Sequence, residues 1–113
     1  MPNKLTINHI MNMIQAHNEL CAYAPQAHRL GAWIDIDTGD GYTIQMFSES
    51  YIYTSKQLWD LLREDYEEDF IEKFVNAEFK TNPLTNYIEA EFDIRHSNKW
   101  TQHYRVIVSI WER

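Results

Sequence analysis

The sequence has little cysteine, glycine or proline. Its 113 residues include a single cysteine, Cys21, together with three glycines and three prolines. One cysteine excludes an intramolecular disulfide and a cysteine-rich zinc site, and it is typical of proteins that fold in a reducing compartment. Three glycines leave no glycine-rich loop that could cradle the phosphates of a nucleotide. We therefore predict a cytoplasmic protein that holds no metal ion and no cofactor.

Long hydrophobic runs are also missing. No segment approaches the roughly 20 consecutive apolar residues that cross a bilayer as a helix. The N-terminus, Met1-Pro2-Asn3-Lys4-Leu5-Thr6, has neither an apolar run after its lysine nor a small-residue cleavage site. We therefore expect neither membrane insertion nor secretion.

Basic residues are few and scattered, whereas acidic residues are concentrated. The chain has ten Lys and Arg against 17 Asp and Glu, which gives a net charge of −7. Eight of the acids and two of the bases lie between Asp60 and Glu78, so that this segment alone has a charge of −6. Nucleic-acid binding needs clustered Lys and Arg side chains that contact phosphates. The charge distribution therefore predicts a protein partner with a basic surface and no direct nucleic-acid binding.

Hydrophobic periodicity predicts one α+β domain over residues 1–113, with the element order α-β-β-(β)-α-β-β. Antiparallel strands grouped apart from helices indicate a two-layer sandwich, in which two or three helices cover one face of a four- or five-stranded sheet. The predicted elements are a helix over 6–24, a hairpin over 31–48, a short strand or helix lead-in over 51–54, one helix or two over 55–80, and a hairpin over 87–111.

The first helix and the second hairpin have patterns that predict their packing. We expect Thr6 to be the N-cap of the first helix, whose core-facing stripe is widened by Met13, His17 and Leu20. In the second hairpin, pairing Phe92 with Tyr104 keeps the apolar residues on one face. The same register sets Glu91 opposite Arg105 and Asp93 opposite His103, which are favourable charge pairs.

Segment 55–80 supplies the first candidate binding surface. An apolar stripe with helical spacing predicts the side that packs on the core. The stripe consists of Trp59, Leu62, Tyr66, Phe70, Phe74 and Ala77. Four carboxylates on the opposite side are the predicted partner-binding residues: Glu64, Asp65, Glu68 and Glu72.

The outward-facing positions of the predicted sheet supply the second candidate surface. Trp33, Phe47, Ile107 and Trp111 interrupt a polar alternation there. Large apolar side chains on an outer face need a cover. Loops of the chain, a second copy or another protein would each provide one, so these four residues are predicted to form an aromatic partner-binding patch.

Two local motifs suggest chemistry but have simpler interpretations. Asp37-Thr38-Gly39 resembles the catalytic triplet of retropepsin-like aspartic proteases. Those proteases are nearly all-β, whereas about two-fifths of this chain is predicted to be helical, and all three residue types are common in turns. His17 and Cys21 lie four residues apart on the first helix and could touch, but both belong to its apolar side. We interpret these motifs as a hairpin turn and as packing, and predict no catalytic residue.

The function that these features favour is that of a small acidic binding protein. It would occupy a basic surface of a partner, with the acidic face supplying charge and aromatic side chains serving as anchors. A specific version is an inhibitor or regulator of a nucleic-acid-handling protein, because the acidic segment has the sign of a phosphate backbone. Anti-restriction and anti-CRISPR products of phages and other mobile elements are analogous short, acidic proteins.

Two alternatives belong to other functional classes. The first is a ligand-binding or catalytic domain with a pocket between helix 6–24 and the sheet, lined by His17, Tyr42 or Tyr104. The second is a structural subunit that forms a homodimer through Trp33 and Trp111.

Overall fold

The helical and alternating segments of the sequence form the two layers that their periodicity predicts. The computed structural model describes residues 4–24, 26–38, 44–46, 51–96 and 100–112. Over these residues it contains three helices and a five-stranded sheet, which confirms the predicted α+β sandwich. In chain order the elements are α1 (Ile7–Cys21), β1 (Leu30–Asp37), β2 (Ile44–Met46), α2 (Ser55–Asp65), α3 (Glu68–Asn76), β3 (Lys80–Thr81), β4 (Ile88–Arg95) and β5 (Thr101–Glu112).

The sheet has the strand order β2-β1-β5-β4-β3, and every neighbouring pair is antiparallel. The predicted register of the second hairpin is confirmed, with Phe92 opposite Tyr104. The central strand β5 also pairs with the whole length of β1, from Leu30↔Glu112 to Asp37↔Arg105. This long-range pairing joins the two hairpins into one sheet.

Side-chain alternation gives the sheet a covered face and an open face. Residues of β1, β4 and β5 that alternate along their strands are buried, and they form one core with the buried side chains of the helices. The strand members of this core are Ala32, Ile34, Ile36, Ala90, Ile94, Val106 and Val108. The intervening residues point away from the helices. We call their side of the sheet the open face.

Helix α1 covers the sheet with a narrow apolar stripe. Its N-cap is Thr6, as predicted, and the Thr6 backbone N–H donates to His9 Nδ1 at 3.1 Å. The buried residues are Ile7, Ile10, Met11 and Ile14. The prediction that Met13 and Leu20 widen the stripe was wrong, since these side chains are 45% and 67% exposed. A helix that packs on one layer buries one face only.

Two pairs of hydrogen bonds hold the start of β1 in place. The Leu30 N–H donates to Asn18 Oδ1 at 2.8 Å, and Asn18 Nδ2 donates to the Leu30 carbonyl at 2.9 Å. Two residues further along, Ala32 and Ile52 exchange backbone hydrogen bonds of 2.9 and 2.8 Å. Segment 51–54 therefore contributes one bridging residue. Its last residue, Thr54, caps α2 by accepting a hydrogen bond from the Gln57 N–H at 3.2 Å.

The acidic segment forms two helices. Tyr66 has an extended backbone (φ −133°, ψ 152°) and ends α2, and Glu67 is the N-cap of α3. Neither glycine nor proline marks this break. One continuous helix would set Glu64 against Glu68 and Asp65 against Asp69 at i,i+4 spacing, which is unfavourable. The break instead places Glu68 and Asp69 in the first turn of α3, where the helix dipole stabilises negative charge.

Candidate functional site

The carboxylates of α2 and α3 form an exposed acidic surface. We define the acidic helix surface by six exposed residues on these helices and the joint between them: Glu64, Asp65, Glu67, Glu68, Asp69 and Glu72. It includes the four predicted partner-binding acids. Within the part of the chain that the structure describes, none of the six forms an ion pair. Asp60, earlier on α2, differs because Lys56 Nζ lies 2.7 Å from its Oδ2 and lowers the pKa of its carboxyl group.

An aromatic cluster holds α3 against the sheet and thereby positions these acids. Phe70 lies at its centre, with ring centroids 4.2 Å from Tyr66 and 5.0 Å from Tyr104. Burial, with a smaller effect of the neighbouring Asp65, raises the pKa of Tyr66 to about 12. Burial and the nearby Asp69 also raise the pKa of Tyr104. Both phenols are therefore neutral at physiological pH and belong to the packing beneath the acidic helix surface.

The open face contains an aromatic groove of about 430 Å³. Its lining consists of Trp33, Asp35, Tyr51, Tyr87, Ile107, Ser109 and Trp111. The structure thus brings together three members of the predicted aromatic patch. The fourth, Phe47, lies outside the described residues. Three residues of this lining, Tyr51, Tyr87 and Asp35, were not predicted members of the patch. The alternation of polar and apolar residues nevertheless assigned Asp35 and Tyr87 to this side of the sheet.

One wall of the groove depends on a close approach at Gly31. A Cβ atom at this position would lie 2.8 Å from Tyr51 Cβ, so that a larger residue would push the Tyr51 segment away. The absence of a side chain at Gly31 lets the Tyr51 side chain pack closely over this position. Tyr51 also packs edge-on against Trp33, with ring centroids 5.5 Å apart at an interplanar angle of 68°. This geometry is a favourable arrangement of two aromatic rings.

Two aspartates on β1 share the open face but have different surroundings. Asp37 is opposite Arg105 in the strand register, and its Oδ2 lies 3.2 Å from Arg105 Nη2. The aspartate of the protease-like triplet is thus held in a salt bridge. Asp35 is opposite Ile107, and Trp33 Nε1 donates to its Oδ1 at 3.2 Å. Asp35 forms no ion pair within the described residues.

The two candidate surfaces lie on opposite sides of the molecule. The acidic helix surface is on the layer that covers one face of the sheet, and the aromatic groove is on the open face. The expectation that the acidic helix and the aromatic anchors act together against one partner surface therefore does not fit the fold. One flat partner surface cannot contact both.

The residues that suggested a pocket beside α1 have structural partners. His17 Nε2 lies 2.8 Å from the His28 carbonyl oxygen, and Cys21 Sγ donates to the same oxygen at 3.6 Å. Tyr104 belongs to the aromatic cluster around Phe70. Tyr42 lies outside the described residues. The contacts of His17 and Cys21 with His28 join the end of α1 to the connector before β1.

In the described ranges, no group of three or more His, Cys, Asp or Glu side chains is arranged to hold a metal ion. None of the helices described combines the length and the apolar character needed to cross a membrane.

Comparison of the chain with protein-family models, with curated proteins and with solved structures finds no significant match.

Proposed function

We propose that this chain is a protein-binding module whose acidic helix surface occupies a basic surface of a partner protein. The observation that supports this proposal is the set of six exposed carboxylates that form no ion pair in the described part of the chain. Glu68 and Glu72 lie four residues apart on α3, where like charges destabilise a helix. A basic partner surface would relieve this repulsion and would be attracted over a distance of about 8 to 10 Å in physiological salt.

A narrower form of the proposal is that the chain inhibits or regulates a nucleic-acid-handling protein. Such proteins have clustered Lys and Arg side chains for phosphates, and the acidic helix surface has the sign of charge that those clusters bind. The single cysteine supports action in the reducing cytoplasm. In this form the chain competes with nucleic acid and does not bind it.

The test uses reversal of charge on one surface. The full chain is used to capture proteins from its source cell, and the main captured protein is then purified for affinity measurements. We expect the affinity to decrease as the salt concentration is raised from about 50 to about 200 mM, because the interaction is electrostatic. The triple variant Glu64→Lys, Glu68→Lys, Glu72→Lys should lose about tenfold or more, which is a loss of about 1.4 kcal/mol or more in binding free energy.

A matched variant controls for total charge. Glu19→Lys, Glu91→Lys, Glu112→Lys makes the same change in net charge at exposed positions outside α2 and α3. It should retain most of the affinity. Equal losses in the two triple variants would show that net charge, and not this surface, determines binding. The regulatory form fails if duplex DNA or RNA does not compete with the chain for the partner.

A further inference from the structure

Of the two β1 carboxylates on the open face, the register of β1 against β5 leaves one without a cation among the described residues. Asp37 is opposite Arg105 and binds it, whereas Asp35 is opposite the aliphatic Ile107. A carboxylate beside an apolar residue loses part of its hydration and gains nothing from the pairing. Its one side-chain partner in the described structure is the neutral indole N–H of Trp33, at 3.2 Å from Oδ1. The Asp35 carboxylate is therefore available to a positive charge brought by another molecule.

Aromatic rings surround this carboxylate. Trp33 and Tyr51 meet edge-on on one side of the groove, and Tyr87 and Trp111 complete its lining. Tyr87 and Trp111 are 41% and 49% exposed, so that their rings are accessible. The π faces of Trp and Tyr attract cations, and Arg stacks on them most readily. Aromatic rings next to a carboxylate match a group that is both positively charged and partly apolar.

We propose that the groove on the open face binds a cationic side chain, Arg or Lys, of a partner protein. The charged group lies beside Asp35, and the aliphatic stem packs between the rings of Trp33 and Trp111. This site is on the opposite side of the sheet from the acidic helix surface and is independent of it. A bound side chain would cover the large apolar residues of the open face.

A second copy of the chain matches the groove less well than a cationic side chain. Each copy has a net charge of −7, and the open face also carries the carboxylates of Glu91 and Asp93. Dimerisation through this face would bring like charges together, which opposes association. A cationic side chain would instead be attracted by the carboxylates of this face.

The test follows the indole N–H signals of Trp33 and Trp111 by NMR in the full chain during titration with a blocked Gly-Arg-Gly peptide. The peptide in which citrulline replaces arginine has nearly the same shape and no charge. We expect saturable shifts of both signals with the arginine peptide and little change with the citrulline peptide. Asp35→Asn preserves an acceptor for Trp33 and should weaken binding about tenfold, the usual size for loss of one charge-assisted contact.

Three further variants complete the test. Asp93→Asn removes a charge from the same face outside the groove and should leave the affinity within about twofold. Trp111→Ala removes a half-exposed wall, so that folding is preserved, and should weaken binding about fivefold through loss of a cation–π contact. The triple variant Glu64→Lys, Glu68→Lys, Glu72→Lys should bind the peptide as the unchanged chain does, which separates this proposal from the one for the acidic helix surface.

Four results would overturn the proposal. They are equal binding of the citrulline peptide, unchanged affinity in both Asp35→Asn and Trp111→Ala, tighter binding of free tetramethylammonium or ethylguanidinium than of the peptide, and concentration-dependent dimerisation that Trp111→Ala abolishes. The third would assign the groove to a small cation, and the fourth to a second copy of the chain.

Discussion

At the scale of single residues, titration of Tyr66 should make the folded chain less stable at alkaline pH. Its pKa is about 12 in the folded chain and 10 as a free side chain, mainly because of burial. Between these values the unfolded chain releases the phenolic proton first, so that the free energy of unfolding falls as pH rises. The contribution of Tyr66 is fully present below pH 10 and is lost as pH approaches 12.

Replacing Tyr66 by Phe should reduce this alkaline loss of stability. Urea unfolding at neutral pH and at several values between pH 10 and about 12 measures the slope. Tyr104, whose pKa is also raised, leaves a smaller slope in the variant. Tyr23→Phe is the control, since Tyr23 is 88% exposed and its loss should not change the slope. Identical slopes in Tyr66→Phe and the unchanged chain would show that Tyr66 titrates normally.

At the scale of elements, α3 has one side for stability and another for solvent. Phe70 is 3% exposed and touches rings of the helix and the sheet, so Phe70→Ala should lower the free energy of unfolding by about 3 to 5 kcal/mol. Glu72→Lys, on the exposed side, should change it by less than about 0.5 kcal/mol. Denaturant titration of both variants makes the comparison. Similar losses in the two would contradict the assignment of these sides.

Local sequence patterns predicted the elements better than their connections. The alternation of Ala32, Ile34 and Ile36 predicted which face of β1 is buried, and the charges of the second hairpin predicted its register. The break at Tyr66 was not located, because neither a glycine nor a proline marks the extended backbone there. The pairing of β1 with β5 is also long-range, and neither strand encodes its partner locally.

The same limit applies to the candidate surfaces. Exposure of Glu64, Asp65, Glu68 and Glu72 follows from helical period alone. The aromatic groove depends on which strands are neighbours, since Asp35 comes to lie beside Ile107 only when β1 pairs with β5. Tyr51 joins the groove because Ile52 bridges to Ala32 and Gly31 leaves room for the Tyr51 side chain. Parity along single strands indicates a side of the sheet, and it cannot indicate the neighbours across strands.

At the scale of the whole molecule, the sheet separates the two surfaces for which we propose positively charged partners. The acidic helix surface is exposed in the described structure and offers several charges at once. The groove on the open face offers one carboxylate among aromatic rings. The two proposed sites therefore differ in how many charges they present to a partner.

The two hydrogen bonds between Asn18 and Leu30 have a consequence for self-assembly. Among the described residues, β2 pairs with β1 at Asp35–Asp37. Unpaired backbone groups earlier on the same edge of a strand are potential templates for a strand of another molecule. The Asn18 amide imitates such a strand at Leu30, and Ile52 does so at Ala32. Asn18→Ala should therefore accelerate aggregation into β-rich assemblies, measured by thioflavin fluorescence and light scattering. Asn12→Ala, at an exposed position of the same helix, should aggregate no faster than the unchanged chain. We therefore expect the Asn18 side chain to limit strand addition by another molecule at this end of β1.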